Sequence, residues 1–499
     1  MRRVVWVMVL VMVVAAPHAS AGRAAAQPTT VPFPDFDHDG FGDLAVGVPG
    51  EDVGTAVDAG AVQVLYGSAD GLASDGRALT QGAGGVPGAS EASDRFGAAV
   101  TALDLNADVY DDLVVGVPGQ DLGTAADAGA VVILFGSATG LGGGRLITQG
   151  NPEPGDRFGV SLTGGEVTAL DQLVVGAPGE DVGAATDAGA ASLITSPESS
   201  PSEQLLYQGA AGMAGTPERS DTFGSALAAG DFNDSDGQDS LAVGVPGEDV
   251  GTVPDAGVVD VRYAPGFGQQ VGLRQLTQDR PEAGDLFGAA LQTGSFDPAD
   301  GHTDLAVGAP GETVGGGSGA GAVSVVLADA SGFATTGSQL FHQGVDGVPG
   351  VAEAGDGFGT ALSAAGFGGD GAGLAVGAPG EDIGSTAAAG VVDVLGNSGG
   401  GLGGGSRRQL TQADAAGTVE PGDRFGEALA VFTLESDVLP DLAVGAPGET
   451  VGGRSGTGAG SVLFDVGTGG SGGSQFFYQG VAGLGGAPEA GDAFGWAMG

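Results

Sequence analysis

Residues 35–43 read DFDHDGFGD and are followed directly by residues 44–51, LAVGVPGE. Acidic side chains stand at positions 1, 3, 5 and 9 of the first stretch, and glycine stands at position 6. A Ca²⁺ ion takes about six to eight oxygen ligands, and the glycine allows the sharp turn that gathers them. The apolar run LAVGV, ended by Pro-Gly, is typical of a short buried strand. The two stretches predict an ion-binding turn that leads into a strand.

The composition favours an all-β protein. Among 499 residues there are 103 Gly and 25 Pro, which disfavours helices of ordinary length and favours turns. An EF-hand, which also begins with Asp at alternate positions, needs helices on both sides and Glu at position 12, and neither is present. Hydrophobic residues make up 41% of the chain, enough to build a core.

The charge and the absence of cysteine narrow the classes of function. The net charge is −47, which argues against nucleic acid and anionic membranes as partners and in favour of cations or basic surfaces. The chain has no Cys, so disulfides, thiolate metal sites and thiol nucleophiles are excluded. Stability must come from packing and bound ions.

The N-terminal segment has the three parts of a secretory signal peptide. Met-Arg-Arg at residues 1–3 precedes an apolar run at 4–16, and Ala-Ser-Ala at 19–21 forms a small-residue cleavage site. We expect residues 1–26 to be a signal peptide and processing region, and residues 27–499 to form the mature domain. No stretch reaches the ~20 apolar residues of a membrane span. We therefore expect a secreted, extracellular protein with no membrane insertion.

Two phrases recur along the chain in a fixed phase. The first, V-G-x-P-G, occurs seven times at intervals of 60–69 residues, and the second, D-x-F-G, also occurs seven times. The first phrase has its proline at Pro49, Pro118, Pro178, Pro246, Pro310, Pro379 and Pro447. The second phrase begins at Asp94, Asp156, Asp221, Asp285, Asp356, Asp423 and Asp492.

Each repeat has room for four short strands, which we label A to D. Strand A starts at Phe-Gly, B is the LAVG run, C is a run such as residues 60–66, and D ends in a Thr-Gln phrase such as residues 78–81. The ion loop joins A to B. Seven such antiparallel units predict a seven-bladed β-propeller. Residues 494–498 form an unpartnered strand A, so we expect the C-terminal strand to complete the first blade and close the ring.

These motifs resemble the FG-GAP repeats of the integrin alpha N-terminal propeller. Phe96-Gly97 and its counterparts match the first half of the repeat name, and Val46-Gly47-Val48-Pro49 and its counterparts match the second. The resemblance covers about residues 33–499. It implies calcium in the A–B loops and a role in cell adhesion or ligand binding. The chain lacks the leg, transmembrane and inserted domains of integrins, so the resemblance does not extend to their signalling.

Five of the seven A–B loops contain enough oxygen ligands to bind Ca²⁺. Loops 1 and 2 are the clearest; loops 4 and 5 contain a slip and an insertion, and loop 7 is weaker because it has fewer charges and a proline. The expected ligands are Asp35, Asp37, Asp39 and Asp43; Asp104, Asn106, Asp108 and Asp112; Asp231, Asn233 and Asp239; Asp297, Asp300 and Asp304; and Glu435, Asp437 and Asp441. Loops 3 and 6, with only Glu166, Asp171 and Asp370, are expected to be metal-free.

We expect a monomeric binding module and not an enzyme. Acid pairs such as Glu51-Asp52 are able to perform acid–base hydrolysis in principle, but repetition around a ring indicates structural turns. A protein or glycan ligand is expected on the face opposite the calcium loops. The alternatives are a lectin-like propeller and a secreted hydrolase-like propeller with an axial site. Candidate acids on the opposite face are Glu51, Asp52, Asp58, Asp127, Asp187, Glu248 and Asp255.

Overall fold

The computed structural model describes residues 34–499 with short gaps. The gaps are residues 70, 74–76, 166–171, 211, 234–237, 265–272, 334–337, 346, 368–370, 399–400, 403–404, 435–438, 469–472 and 482–483. The predicted signal region lies outside the described residues, so its boundary stays a prediction.

The described residues form seven four-stranded antiparallel sheets and contain two short 3-10 helices but no α-helix. Within blades 2 to 7 the strands follow the order A, B, C, D from one edge of the sheet to the other. The A strands of neighbouring blades contact one another in an unbroken ring around the axis. The predicted all-β, seven-bladed propeller is confirmed.

Every strand is short, with two to six residues. From blade 1 to blade 7, the A strands are Ala497–Met498, Val100–Leu103, Leu162–Gly165, Ala226–Gly230, Ala290–Gly294, Leu362–Ala365 and Leu429–Phe432. The B strands are Leu44–Val48, Asp112–Val117, Gln172–Ala177, Ser240–Val245, Asp304–Ala309, Gly373–Ala378 and Asp441–Ala446. The C strands are Ala61–Leu65, Ala130–Phe135, Ala190–Thr195, Val258–Arg262, Ala322–Val326, Val391–Leu395 and Ala459–Leu463. The D strands are Arg77–Leu79, Gly142–Ile147, Ser202–Leu206, Leu273–Leu276, Gln339–Phe341, Arg407–Leu410 and Ser474–Phe477.

Three further elements lie outside this pattern. A small hairpin in blade 5 pairs Ala328–Asp329 with Gly332–Phe333. The 3-10 helices are Gln412–Ala415 after strand D of blade 6 and Val466–Thr468 after strand C of blade 7. No helix in the described part of the chain is long and apolar enough to cross a membrane.

The two ends of the chain share blade 1, as predicted. Val46 pairs with Met498 and Gly47 with Ala497 in antiparallel register. The Ala45 N–H donates to the Gly499 carbonyl (2.9 Å), and the Gly499 N–H donates back to the Ala45 carbonyl (3.2 Å). The C-terminal strand therefore occupies position A of the first blade.

The recurring phrases pack neighbouring blades against each other. A Cβ atom on Gly47 would lie 2.0 Å from the Gly97 carbonyl oxygen, so the glycine of one phrase admits the Phe-Gly turn of the next blade. The phenylalanine of that turn, Phe96, joins a core cluster with Val64 of blade 1 and Val115 of blade 2. Its equivalents have at most 1% of their surface exposed: Phe158, Phe223, Phe287, Phe358, Phe425 and Phe494. These phenylalanines therefore belong to the core.

Candidate metal centre

Loop 1 brings three of its four predicted calcium ligands together. Carboxylate oxygens of Asp35, Asp37 and Asp39 all lie within 4.8 Å of one another. Ligands of one Ca²⁺ ion stand about 2.3–2.6 Å from it, so their oxygens lie within roughly 5 Å of each other. One oxygen of Asp37, Oδ1, is buried and has no hydrogen-bond partner among the described residues. The oxygen-only donor set and this unpartnered atom fit a hard divalent cation.

The backbone of loop 1 is folded by its own acids. Asp35 accepts the N–H of Asp39 on Oδ1 and the N–H of Gly40 on Oδ2, both at 3.0 Å. His38 and Gly40 have φ angles of 56° and 91°, which place both in the left-handed region. Burial raises the pKa of Asp37, and the charges of Asp39 and Asp35 raise it further. This mutual repulsion is what a bound cation would relieve.

The fourth predicted ligand, Asp43, is an anchor for the backbone. It is 1% exposed, and its Oδ2 accepts the Phe36 N–H (2.7 Å) while its Oδ1 accepts the Gly67 N–H (2.8 Å). Burial raises the pKa of Asp43 to about 8, and the two backbone donors oppose that rise. It is not part of the three-acid group. Any contact it makes with an ion would use the remaining lone pairs of oxygens that are already hydrogen-bonded.

Loop 2 repeats the turn of loop 1 with different side chains. Asp104 accepts the N–H groups of Asp108 and Val109 (both 3.2 Å), which corresponds to the two bonds of Asp35. Asn106 replaces an acid, and its Nδ2 donates to Asp108 Oδ2 (3.0 Å). The ninth-position residue Asp112 anchors the N–H groups of Leu105 (3.2 Å) and Gly136 (2.9 Å), as Asp43 does in loop 1.

The two loops are in direct contact across the boundary between blades 1 and 2. Asp111 of loop 2 accepts the Asp35 N–H on Oδ2 (2.9 Å), and the Asp111 N–H donates to the Asp35 carbonyl (3.3 Å). The rings of His38 and Tyr110 meet edge to face with centroids 5.7 Å apart. The first ligand of one candidate site is therefore held in place by the loop that forms the other.

Loop 4 is one residue longer than loops 1 and 2, and its register differs from the predicted one. Ser240, and not Asp239, accepts the backbone N–H 24 residues later, from Ala264 (3.0 Å). The Ser240 hydroxyl donates to Asn233 Oδ1 (2.9 Å). The structure therefore places Asp239 one position before the anchor. Asp231 lies at the start of the loop, where its carbonyl accepts the Thr303 N–H (3.0 Å).

The anchor recurs in loops 5 and 7. Asp304 accepts the N–H groups of Asp297 and Ala328 (both 2.8 Å), and Asp441 accepts those of Leu434 (2.8 Å) and Asp465 (3.1 Å). Asp300 accepts the His302 N–H (3.0 Å). Five other acids named in the sequence analysis lie outside the described residues: Glu435 and Asp437 of loop 7, Glu166 and Asp171 of loop 3, and Asp370 of loop 6. Sequence reasoning missed the anchoring role, although its signal is a constant 24-residue spacing.

On the opposite face, repeated acids hold neighbouring blades together. Glu180 Oε2 accepts from Gln149 Nε2 (2.9 Å), a bond between blades 2 and 3, and burial raises the pKa of Glu180 to about 7. The equivalent pairs are Gln479–Glu51, Gln81–Gln120, Gln208–Glu248, Gln278–Glu312, Gln343–Glu381 and Gln412–Glu449. The result is a ring of seven inter-blade hydrogen bonds that sequence reasoning missed.

The acids of the D-x-F-G phrases form turns. Asp94 Oδ2 accepts the N–H of Glu91, three residues earlier, at 2.6 Å. The same bond is made by Asp156, Asp221, Asp285, Asp356, Asp423 and Asp492.

In the B–C loops, Asp52 Oδ1 accepts the Asp58 N–H (2.9 Å). Among the acids predicted to bind a partner, Glu51 and Glu248 accept the inter-blade hydrogen bonds described above. Asp127, Asp187 and Asp255 are exposed.

The family comparison agrees with the fold. The model of the FG-GAP repeat matches residues 28–65, 96–134 and 299–326. The chain therefore contains FG-GAP repeats, and its seven-bladed propeller is of the kind found in integrin alpha N-terminal domains. A solved structure of a mutant of AofleA from Arthrobotrys oligospora is 12% identical, covers 74% of this chain and 83% of its own, and has a TM-score of 0.37.

Three curated relatives share the name phosphatidylinositol-glycan-specific phospholipase D. The bovine protein is 34% identical over 29% of this chain and 18% of its own length, the rat protein 38% identical over 21% and 13%, and the human protein 31% identical over 35% and 21%. The chain thus spans about a fifth or less of the length of these relatives.

This similarity corrects the expectation that the chain is not an enzyme. The relatives bear the name of an enzyme. The acids that recur around the ring make hydrogen bonds that shape the turns and join the blades, which is a structural role. Repetition gives no information about residues that occur once in the chain, and an active site is built from such residues.

Proposed function

We propose that the chain is a secreted, calcium-binding FG-GAP propeller that serves as the recognition module of an enzyme acting on phosphatidylinositol-glycan. The observation that carries the calcium part is the group of Asp35, Asp37 and Asp39, with oxygens within 4.8 Å and one of them unpartnered. The relatives' shared name supports the substrate class. The N-terminal Met-Arg-Arg and apolar run support secretion.

The face opposite the calcium loops is the proposed recognition surface. It carries the long B–C and D–A loops, and loops on a rigid scaffold are where binding residues concentrate. Asp127, Asp187 and Asp255 are exposed there, with φ angles of 49–52°. Their carboxylates suit hydroxyl or basic groups of a glycan or protein, and such binding weakens with salt. Adhesion through a protein ligand on this face is the second candidate, supported by the integrin-like repeats.

The test measures binding and turnover on one substrate. Vesicles carrying a phosphatidylinositol-glycan-anchored protein are incubated with the purified chain in calcium or in chelator, and both co-sedimentation of the chain and release of the anchored protein are measured. We expect calcium-dependent co-sedimentation that is absent with phosphatidylcholine vesicles. Equal sedimentation with both vesicles, or none with either, would contradict the proposed substrate class.

A further inference from the structure

The A strands place one residue per blade at the same register position around the axis. Thr101 pairs with Val114, Thr163 with Val174 and Gln292 with Ala306, each two residues into the following strand B. Ala228, Ser363 and Ala430 hold the same position in their blades. The residue type at this position of the ring varies from blade to blade, unlike that of the recurring phrases. The polar residues belong to blades 2, 3, 5 and 6.

A cavity of about 310 Å³ lies on this ring, at the end of the axis where the A–B loops emerge. Thr101, Gln292 and Ser363 line it from the strands, and Asp111 and Pro34 line it from the loops. Thr163 belongs to the same ring but does not line the cavity. The volume is near the lower end of ligand pockets, about 300–1,000 Å³, so the cavity suits one small ring and not a peptide.

The polar atoms of this lining mostly accept hydrogen bonds. Gln292 Nε2 donates one of its two N–H groups to the Thr293 carbonyl (2.9 Å), and the amide oxygen remains an acceptor. Asp111 is a carboxylic acid on the wall. Ser363 Oγ accepts the Val431 N–H (3.1 Å), so its hydroxyl proton remains for a ligand. None of the lining residues is Lys, Arg or His, so the described wall offers no charge for a phosphate.

We infer that this axial cavity binds a single hydroxyl-rich ring without a phosphate, of the size and chemistry of one sugar residue. Hydroxyl groups supply the donors that Gln292 and Asp111 accept, and the apolar carbons of a sugar ring match Pro34 and Val431 on the wall. The site is separate from the proposed recognition face and from the phosphodiester that a phospholipase acts on, so it does not rest on the proposed function.

The experiment titrates the full chain with galactose, mannose, glucosamine and myo-inositol, one at a time, by calorimetry and ligand-observed NMR in calcium buffer. We expect at least one probe to bind saturably. Thr101→Val and Gln292→Leu remove polar atoms with little change in shape, and each should weaken that binding by about fivefold or more, the usual effect of losing one hydrogen bond.

Thr163→Val is the matched control, because it makes the same change at the same register outside the cavity. It should leave the affinity unchanged, and the melting temperatures of all three variants show whether each is folded. Binding of none of the four probes would overturn the inference. Binding that survives Thr101→Val and Gln292→Leu, or that Thr163→Val weakens equally, would also overturn it.

Discussion

Loops 1 and 2 share one backbone turn but fill it with different side chains. In loop 1 the third and sixth positions are Asp37 and Gly40, and in loop 2 they are Asn106 and Val109. The φ angle at the sixth position is positive in both, 91° at Gly40 and 78° at Val109. A β-branched residue in this region is strained by roughly 1–3 kcal/mol. The turn is therefore specified by its anchoring hydrogen bonds and not by glycine.

The largest expected effect comes from withdrawing calcium from both loops. Binding to the folded state alone stabilises it by about 2.7 kcal/mol per site when the free ion is at 100 times its Kd. We predict that chelator lowers the melting temperature of the wild-type chain, as measured by scanning calorimetry. Asp35→Ala should remove more of the calcium-dependent increment than Asp104→Ala, because loop 1 has one more acid among its expected ligand positions. Identical melts in chelator and in millimolar calcium would rule out the loop assignment.

A pH scan in chelator probes the acids of the opposite face, several of which titrate together. Burial raises the pKa of Glu180, Glu248, Glu312, Glu381 and Glu449 to about 7. A raised folded-state pKa means that the folded state holds more protons than the unfolded state. The contribution of these glutamates to the free energy of unfolding is therefore fully present below about pH 4.5 and is lost as the pH rises through about 7.

We predict that the midpoint of urea unfolding falls between pH 5 and pH 8. Glu180→Gln, which stays uncharged, should reduce this pH dependence. Blade 2 supplies the natural precedent, since Gln120 occupies the equivalent position and accepts from Gln81 (2.8 Å). A midpoint that is flat or rises across this window would contradict the structural role of the ring.

Removing the anchor should affect both loops alike. Asp43→Ala and Asp112→Ala each leave two backbone N–H groups without their acceptor, and we predict a loss of about 2–4 kcal/mol in the free energy of unfolding. The measurement is urea unfolding in chelator, so that no metal contributes. Asp39→Ala, at an exposed position that accepts one backbone N–H, is the control and should cost far less. A similar loss in the control would show that the anchor is not special.

Much of the fold was readable from the sequence, because each blade repeats the same local packing problem. The spacing of V-G-x-P-G and D-x-F-G predicted the seven blades, and the unpartnered residues 494–498 predicted the shared first blade. The candidate site was harder, since its determinants lie far apart. The Asp43 anchor needs the N–H of Gly67, and Glu51 meets Gln479 across 428 positions. In loop 4, aligning the acids predicted Asp239 as the last ligand of the loop, whereas Ser240 is the residue that makes the anchoring hydrogen bond.

Exchanging the third ligand should interchange the calcium affinities of the two loops. Asp37→Asn gives loop 1 the Asp-Asn-Asp pattern of loop 2, and Asn106→Asp gives loop 2 the pattern of loop 1. One full charge near the ion is worth on the order of 1–2 kcal/mol in a partly exposed site, or about tenfold in Kd. Calorimetric titration should show weaker binding for Asp37→Asn and tighter binding for Asn106→Asp. Equal affinities in wild type and both variants would mean that the third position is not a ligand.

The smallest expected effect concerns Val109 itself. Val109→Gly relieves the strain at φ 78° but adds the backbone entropy of glycine to the unfolded chain, about 0.5–1 kcal/mol, so we predict a net gain of about 0.5–1 kcal/mol in chelator. Val109 is 60% exposed, so little packing is lost. The reverse change, Gly40→Val, should destabilise loop 1 by about 1–2 kcal/mol through φ strain alone, because a Cβ atom there meets nothing within 4 Å. Because the two substitutions exchange the sixth positions, effects of the same sign would show that the loops do not share this turn in solution.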